Sequence, residues 1–362
     1  MKIALVNDFL QETGIGNYAF SLFNELKKKA DIEMVYLDSD NSFHKKQEKT
    51  IHIKGARFPV LNHVLNNAFV FPKKIPEGFD IYHASNQYLS HIVTKKEKSI
   101  VSCMDMISTR LAADYNPVVS FFWNRSVKQM KNAAKIIAIS NFTKNEITKQ
   151  LAIPKEKIET IHLGFDDKIF KPMKKKESRK ELGIEEAAHL ILNVGAEDKR
   201  KNMTTLLRAF ATVSEKDENA MLLRIGKQKP ETARLIRELG IAEKVKYFSS
   251  IPVEKLATTY NTADVFCFCS YYEGFGLPVL EAMACGCPVV AAKAASVPEI
   301  VEGAGVLVKN PLDACEFAKQ VEMLLENPAE RKRLERKGFA QARKFSWKKN
   351  AEETMRIYEE VL

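Results

Sequence analysis

No apolar run in this chain of 362 residues approaches the roughly 18 residues that a membrane-crossing helix needs, so no span is expected. Its start, MKIALVNDFLQE, offers only Ile3 to Val6 before Asn7 and Asp8, which is short of the apolar stretch of a secretory leader. That segment reads as a first β-strand, and the expected location is the cytoplasm. Cysteine is sparse at six residues, and without an export signal the thiols are expected to stay reduced and unbridged. Two pairs, Cys267 with Cys269 and Cys285 with Cys287, have Cys-x-Cys spacing, tighter than the roughly two to four intervening residues usual in structural zinc sites. Lying in or beside apolar strands, they read as small buried hydrophobes, and no metal is expected.

Acidic residues are outnumbered, giving a net charge of +10, which implies an anionic partner: a nucleotide diphosphate, a membrane surface or a nucleic acid. The richest basic run, Lys171 to Lys180 (KPMKKKESRK), has no interleaved aromatics, and no nucleic-acid-binding module is recognisable. The run reads as a solvated surface or linker, and nucleic acid is not expected as a partner.

What is present is an alternation of short Val/Ile-rich runs with amphipathic helical segments, the pattern of an α/β chain whose parallel sheets are covered on both faces. Strands are expected near Lys2–Val6, Glu33–Leu37, Asp80–His83, Ser99–Cys103, Lys135–Ser140 and Ile158–Leu163. A second series runs Leu190–Gly195, Met221–Gly226, Lys244–Phe248, Asp264–Cys269, Pro288–Ala292 and Gly305–Val308, followed by three helices over Cys315–Leu325, Ala329–Lys344 and Trp347–Val361. Two doubly wound Rossmann-like domains follow, 1–164 and 187–344, joined by a polar connection at 165–186. The stretch Asn41 to Phe79 mixes basic and apolar residues and is open to two readings, ordinary packing on the sheet or an acceptor- or membrane-facing element.

The most informative stretch is Ser270 to Val290, SYYEGFGLPVLEAMACGCPVV. A strand, a glycine loop and a helix that starts with Pro278 in its first turn make an anion site, at which the N–H groups of Phe275, Gly276 and Leu277 point one way. Glu273 enters from the loop and Glu281 from the helix, and both carboxylates are expected to converge there. Acids beside a phosphate site suit neutral hydroxyls, so a sugar and a ribose are their sensible partners. In NVGAEDKRKNMTTLLRAF, Arg200 and Lys201 lie beyond a strand end, where cations meet a ligand and can neutralise a leaving diphosphate. Gly14 and Gly16, in NDFLQETGIGNY, fit two readings, a backbone that approaches a phosphate or a simple tight turn.

Together, GIGNYAFSLFNEL, AISNFTKNEI, IHLGFDDKIFKP, NVGAEDKRKN, Ala263–Asp264, EGFGLPVLEAMACGCPVV and VPEI resemble the retaining glycosyltransferases of GT-B architecture, with Glu273 and Glu281 in their E-x7-E spacing. The resemblance implies two Rossmann-like domains facing a cleft and no metal or other cofactor. Its implied partners are a nucleotide-diphosphate sugar donor and a glycan, lipid-linked or small-molecule acceptor, with peripheral membrane contact possible. It assigns Glu273 and the backbone of Gly274 to Leu277 to the donor sugar and phosphates, Glu281 to the ribose, and Arg200 and Lys201 to the diphosphate. It gives the acceptor to the N-terminal domain and has the last helix, about 345–362, cross back to it.

Two positions depart from the family. Met104 stands where a catalytic-site histidine is frequent, although Asp105 follows it and is, with Glu273, Arg200 and Lys201, a candidate catalytic residue, and Ala196 stands where an arginine is frequent. His83, at the end of the strand in DIYHASN, is open to two readings, a stand-in on the acceptor side or a histidine satisfied by local hydrogen bonds. A nucleotide-sugar epimerase of the same fold and a binding protein with weakened turnover are the alternative functions.

Overall fold

The computed structural model describes residues 1–39, 48–110 and 116–362. They form two compact units, one of Met1–Gly164 with Trp347–Leu362 and one of Phe165–Ser346.

The first unit is built on seven strands: β1 (Lys2–Asn7), β2 (Asp31–Asp38), β3 (Thr50–Lys54), β4 (Ile81–Ala84), β5 (Ser99–Cys103), β6 (Lys135–Ala138) and β7 (Ile158–Thr160). Their order is β3-β2-β1-β4-β5-β6-β7, and every pairing is parallel. The central strands read as unbroken apolar runs because helices cover both faces; Ile3, Ala4, Leu5 and Val6 have no exposed surface. Edge strand β3, TIHIK, alternates instead, with one buried residue in five, and the apolar-run criterion passes over it. Of the stretch Asn41 to Phe79, the residues up to 47 lie outside those described. The remainder supplies β3 and a helical segment that buries Val64 and Phe71 while leaving Phe69 exposed.

Helix Gly14–Leu26 follows β1 and buries Tyr18, Phe20, Leu22, Phe23 and Leu26. The Thr13 hydroxyl caps it, accepting the Gly16 N–H at 3.0 Å. A Cβ on Gly16 would stand 1.8 Å from the Leu10 carbonyl oxygen, so the loop can fold back over the helix only at a glycine. Helix Trp347–Val361 also belongs to this unit, held by Asn350 donating to the His162 carbonyl at 2.7 Å and by the Lys29–Glu352 ion pair at 2.8 Å.

The second unit carries β8 (His189–Val194), β9 (Ala220–Ile225), β10 (Val245–Phe248), β11 (Val265–Phe268), β12 (Val289–Ala292) and β13 (Val306–Val308), all parallel, in the order β10-β9-β8-β11-β12-β13. Residues 165–186, read from sequence as a connection, are part of this unit. Lys175–Leu182 is a helix, and its Arg179 guanidinium donates to Asp264 Oδ2 at 2.7 Å while Lys175 Nζ meets Oδ1 at 2.6 Å. Burial pushes the Asp264 carboxyl up, but these two cations and the Leu190 N–H hold it below its usual value. Two basic residues of the supposedly solvated run therefore compensate an acid far along the chain, which the composition of the run does not disclose.

Candidate functional site

In the second sheet the strand order reverses at β8, with β9 and β10 on one side and β11 to β13 on the other. Ligands of open α/β sheets bind beyond the carboxyl ends of the strands at such a point. The loop after β8 ends in a tight turn, Lys199–Lys201, and Asn202 then takes a left-handed conformation (φ 57°) that opens helix Met203–Lys216. The Asn202 side-chain amide donates to the carbonyls of Cys269 (3.2 Å) and Pro311 (2.6 Å), and the Tyr271 N–H donates to the Arg200 carbonyl at 2.9 Å. The loop is thus fastened to the one that follows β11.

That fastening brings three charges together. Lys201 Nζ donates to Glu273 Oε1 at 2.6 Å, and Arg200 donates to Glu273 Oε2 at 2.8 Å and to the Tyr272 carbonyl at 3.2 Å. Lys201 Nζ also stands 5.2 Å from the centre of the Phe268 ring. Only 8% of Glu273 is exposed, and burial alone raises its pKa; the Lys201 and Arg200 charges reverse that and keep it an anion. Sequence reasoning gave the acid to a sugar and the cations to a diphosphate, without seeing that they hold one another.

The next residues form the turn into helix Leu277–Ala284. Gly276 caps it at φ 109°, a value that L-residues rarely adopt, and its carbonyl accepts the Val279 N–H at 3.0 Å. The N–H groups of Gly276 and Leu277 have no acceptor among the described residues, as the first groups of a helix do not. Phe275, 3% exposed, packs its ring edge-on against Phe345 at 5.8 Å and anchors the loop. Gly274 links it to Glu273. Ser296, absent from the sequence reading, shares its hydroxyl between the carbonyls of Glu273 (3.0 Å) and Phe275 (2.8 Å). Its position just before VPEI was the available signal.

Glu281 lies in the second turn of that helix and has a partner of its own, the Tyr260 hydroxyl, which donates to Oε2 at 3.0 Å. Burial raises its pKa to about 7, with the Tyr260 hydrogen bond opposing the rise. The two acids of the motif therefore differ: one is fixed as an anion by cations, the other is poised near neutrality.

In the first unit, Asp105 follows β5 and accepts the Ile107 N–H at 3.1 Å and the Gln87 amide at 3.4 Å; Gln87 also accepts the Met104 N–H at 3.0 Å. Gly14 opens the helix, and Gly16 is accounted for by the Leu10 backbone pressed against it. His83 is not on an acceptor-facing surface. It has no exposed area, with Nδ1 at 2.7 Å from the Tyr358 hydroxyl and Nε2 at 2.8 Å from Ser102 Oγ. Burial pushes its pKa down to about 3, and it serves as a neutral tie in the core. Among the described residues no group of three or more His, Cys, Asp or Glu side chains is placed to hold a metal; the Cys267 and Cys269 sulfurs are 3.8 Å apart and buried.

Comparison with known proteins adds to this geometry. The family model described as glycosyl transferases group 1 matches residues 174–341, and that described as glycosyltransferase family 4 matches residues 13–168. The O-antigen chain mannosyltransferase B of Escherichia coli is 30% identical over 96% of this chain and 96% of its own length. The MMP alpha-(1->4)-mannosyltransferase of Mycolicibacterium hassiacum is 31% identical over 66% of this chain, a match spanning 58% of that relative. The D-inositol 3-phosphate glycosyltransferase of Segniliparus rotundus is 31% identical over 63% of this chain and 52% of its own length. Among solved structures, sucrose-phosphate synthase from Thermosynechococcus elongatus superposes with a TM-score of 0.81 at 22% identity, covering 99% of this chain and 98% of that one. HepE of Anabaena, in complex with UDP and glucose, gives 0.80 at 17% identity, covering 99% and 100%. The architecture of two parallel-sheet α/β domains is GT-B.

Proposed function

This chain belongs to the group 1 glycosyl transferases, and from that premise we propose that it moves a hexosyl unit, of mannose or glucose type, from a nucleotide-diphosphate sugar to a glycan, lipid-linked or small-molecule acceptor with retention at the anomeric carbon. The observation that carries the reading is the Arg200–Glu273–Lys201 cluster at the β8/β11 strand ends, beside the Gly276 and Leu277 N–H groups at the start of helix Leu277–Ala284, which have no acceptor among the described residues. Two cations and a helix N-terminus favour a diphosphate, while the acid they hold is turned to a sugar hydroxyl. Glu281 takes the ribose hydroxyls. The names of the relatives, mannosyltransferases and inositol-phosphate glycosyltransferases, support a hexose donor.

In the proposed step the bond from the anomeric carbon to the phosphate oxygen breaks through an oxocarbenium-like transition state. The acceptor oxygen bonds to that carbon on the same face, and its hydroxyl proton passes to the departing phosphate oxygen. Arg200 and Lys201 offset the charge that grows on the diphosphate, so the reaction is read as needing no metal or other cofactor. The first unit, including Asp105, takes the acceptor.

Peripheral contact with the inner face of a membrane is part of the proposal. It is supported by exposed Phe69 and Phe121 in the lining of an aromatic cavity of about 310 Å³, with Arg125 in the same lining.

A melting-temperature screen with UDP, GDP and ADP sugars tests the donor reading, since a ligand of the folded state raises the transition. No shift with any of them sinks it. Retention is tested by the anomeric configuration of the product, which must match that of the donor.

A further inference from the structure

Glu281 follows Leu277 by four residues in helix Leu277–Ala284 and so shares a face with it, and a helical side chain leans back toward the helix start. Its carboxylate therefore reaches toward the end at which the Gly276 and Leu277 N–H groups lie. The two oxygens are not equivalent. Oε2 accepts the Tyr260 hydroxyl at 3.0 Å. Oε1 has no hydrogen-bond partner among the described residues, yet it is not sealed in the interior: Glu281 is partly exposed and contributes no buried atom that lacks a partner. One oxygen is tied down and the other is left to a ligand.

The group that ties it is itself firmly placed. Tyr260 lies in the last turn of helix Val253–Thr262 and has no exposed surface. Its ring packs edge-on against Phe170 at 6.0 Å and against Phe266 of β11 at 5.5 Å. The next residue, Asn261, accepts the Met173 N–H at 2.7 Å and donates to the Lys171 carbonyl at 3.0 Å, which fixes the end of the helix. Burial and the neighbouring Glu281 push the phenol pKa well above its ordinary value, so the hydroxyl stays a donor, and an ionised carboxylate can only accept. A glutamate free in solvent samples many rotamers, and ordering it at the moment of binding costs side-chain entropy. Tyr260 imposes that order in the folded chain before a ligand arrives.

We infer that Tyr260 is a positioning residue for the nucleotide ribose: by holding Oε2 of Glu281 it presents Oε1, already oriented, to a ribose hydroxyl and sets the preference for ribonucleotides over deoxyribonucleotides. The inference rests on the assignment of Glu281 to the ribose in the glycosyltransferase reading.

The test is calorimetric titration of the full chain at about pH 8, where Glu281 is mainly ionised, with whichever of UDP, GDP and ADP raises its melting temperature and with the 2′-deoxy and 3′-deoxy forms of that nucleotide. In the unmodified chain, removal of the hydroxyl that Glu281 holds is expected to weaken binding about tenfold. Tyr260→Phe keeps the ring and removes the tie. It is expected to weaken the ribonucleotide about fivefold and leave the deoxynucleotide unchanged, so that discrimination falls to about twofold. A Tyr260→Phe chain that weakens both nucleotides equally, or neither, overturns the inference, because a merely structural tie would leave the ratio as it was. Glu281→Gln reads the same geometry with Tyr260 intact and decides the matter if Tyr260→Phe does not fold. The tyrosine hydroxyl then takes the amide oxygen and leaves the amide N–H groups to the ribose, so discrimination is expected to stay above that of Glu281→Ala; equal values would overturn the inference. Glu281→Ala also separates the failures. Discrimination undiminished in Glu281→Ala removes the ribose assignment and the inference with it, whereas a ratio lost in Glu281→Ala but intact in Tyr260→Phe removes the role of Tyr260 alone.

Discussion

Lys201 Nζ and Glu273 Oε1 stand 2.6 Å apart, joining the loops that leave two adjacent strands at the point where the second sheet reverses its order. With Arg200 on the other carboxylate oxygen, and Asp198 3.7 Å from the same guanidinium, the anion affinity of the cluster and its folding stability depend on the same side chains.

Glu273→Ala leaves Lys201 and Arg200 without their counter-charge in a largely buried setting. Stability is expected to fall by about 3 kcal/mol and transfer by about 100-fold or more. Glu273→Gln keeps the shape and should lose less stability while losing transfer to a similar degree. Urea titrations and initial rates on both variants check this; transfer that survives Glu273→Gln would remove the acid from the site.

Glu281 sets a pH dependence. Its folded pKa of about 7 lies above the ordinary 4.5, so between those values the folded chain holds a proton that the unfolded chain has released. Stability contributed by this group is therefore present at low pH and lost as pH rises through about 7. Ribose hydroxyls are gripped best by the carboxylate, so nucleotide affinity should rise from about pH 6 to about pH 8. Glu281→Gln should flatten both trends, checked by melting curves and nucleotide titrations across that range.

Tyr358→Phe removes the hydroxyl that meets His83 Nδ1 at 2.7 Å and leaves a buried ring nitrogen without a partner. A loss of about 1–2 kcal/mol is expected, read by denaturant titration. No loss would mean that the histidine is satisfied in another way.

Gly276→Ala places a side chain at φ 109°, with an expected cost of about 1–3 kcal/mol and weaker nucleotide binding through the displaced turn. Gly16→Ala should cost more, since its Cβ would lie 1.8 Å from a backbone oxygen that cannot yield without moving the loop. Melting temperatures of the two variants rank them.

The strands legible in the sequence were those buried on both faces, such as IALV in β1 and IVSC in β5, where continuous apolar runs admit few alternatives. Edge strand β3 escaped because TIHIK is polar at every second position or so, and short alternation is a faint signal. At the site, the sequence located the turn after Glu273 through its glycines and Pro278. It could not show that Arg200 and Lys201 bind that glutamate, because their pairing comes from the adjacency of β8 and β11, strands separated by some 70 residues of chain. For His83 the sequence left an acceptor-side role and a histidine satisfied by hydrogen bonds both open, because a strand end marks an approximate position; burial under Tyr358, supplied by the helix Trp347–Val361, decides for the second.

Because Trp347–Leu362 completes the unit that Met1 begins, residues 165–346 are topologically an insertion within it. A ribosome delivers every element of the inserted unit before it releases the helix that supplies Tyr358 to His83. The first unit therefore waits for its closing helix until the inserted one has been made, and during that interval its central histidine lacks one of its two native partners.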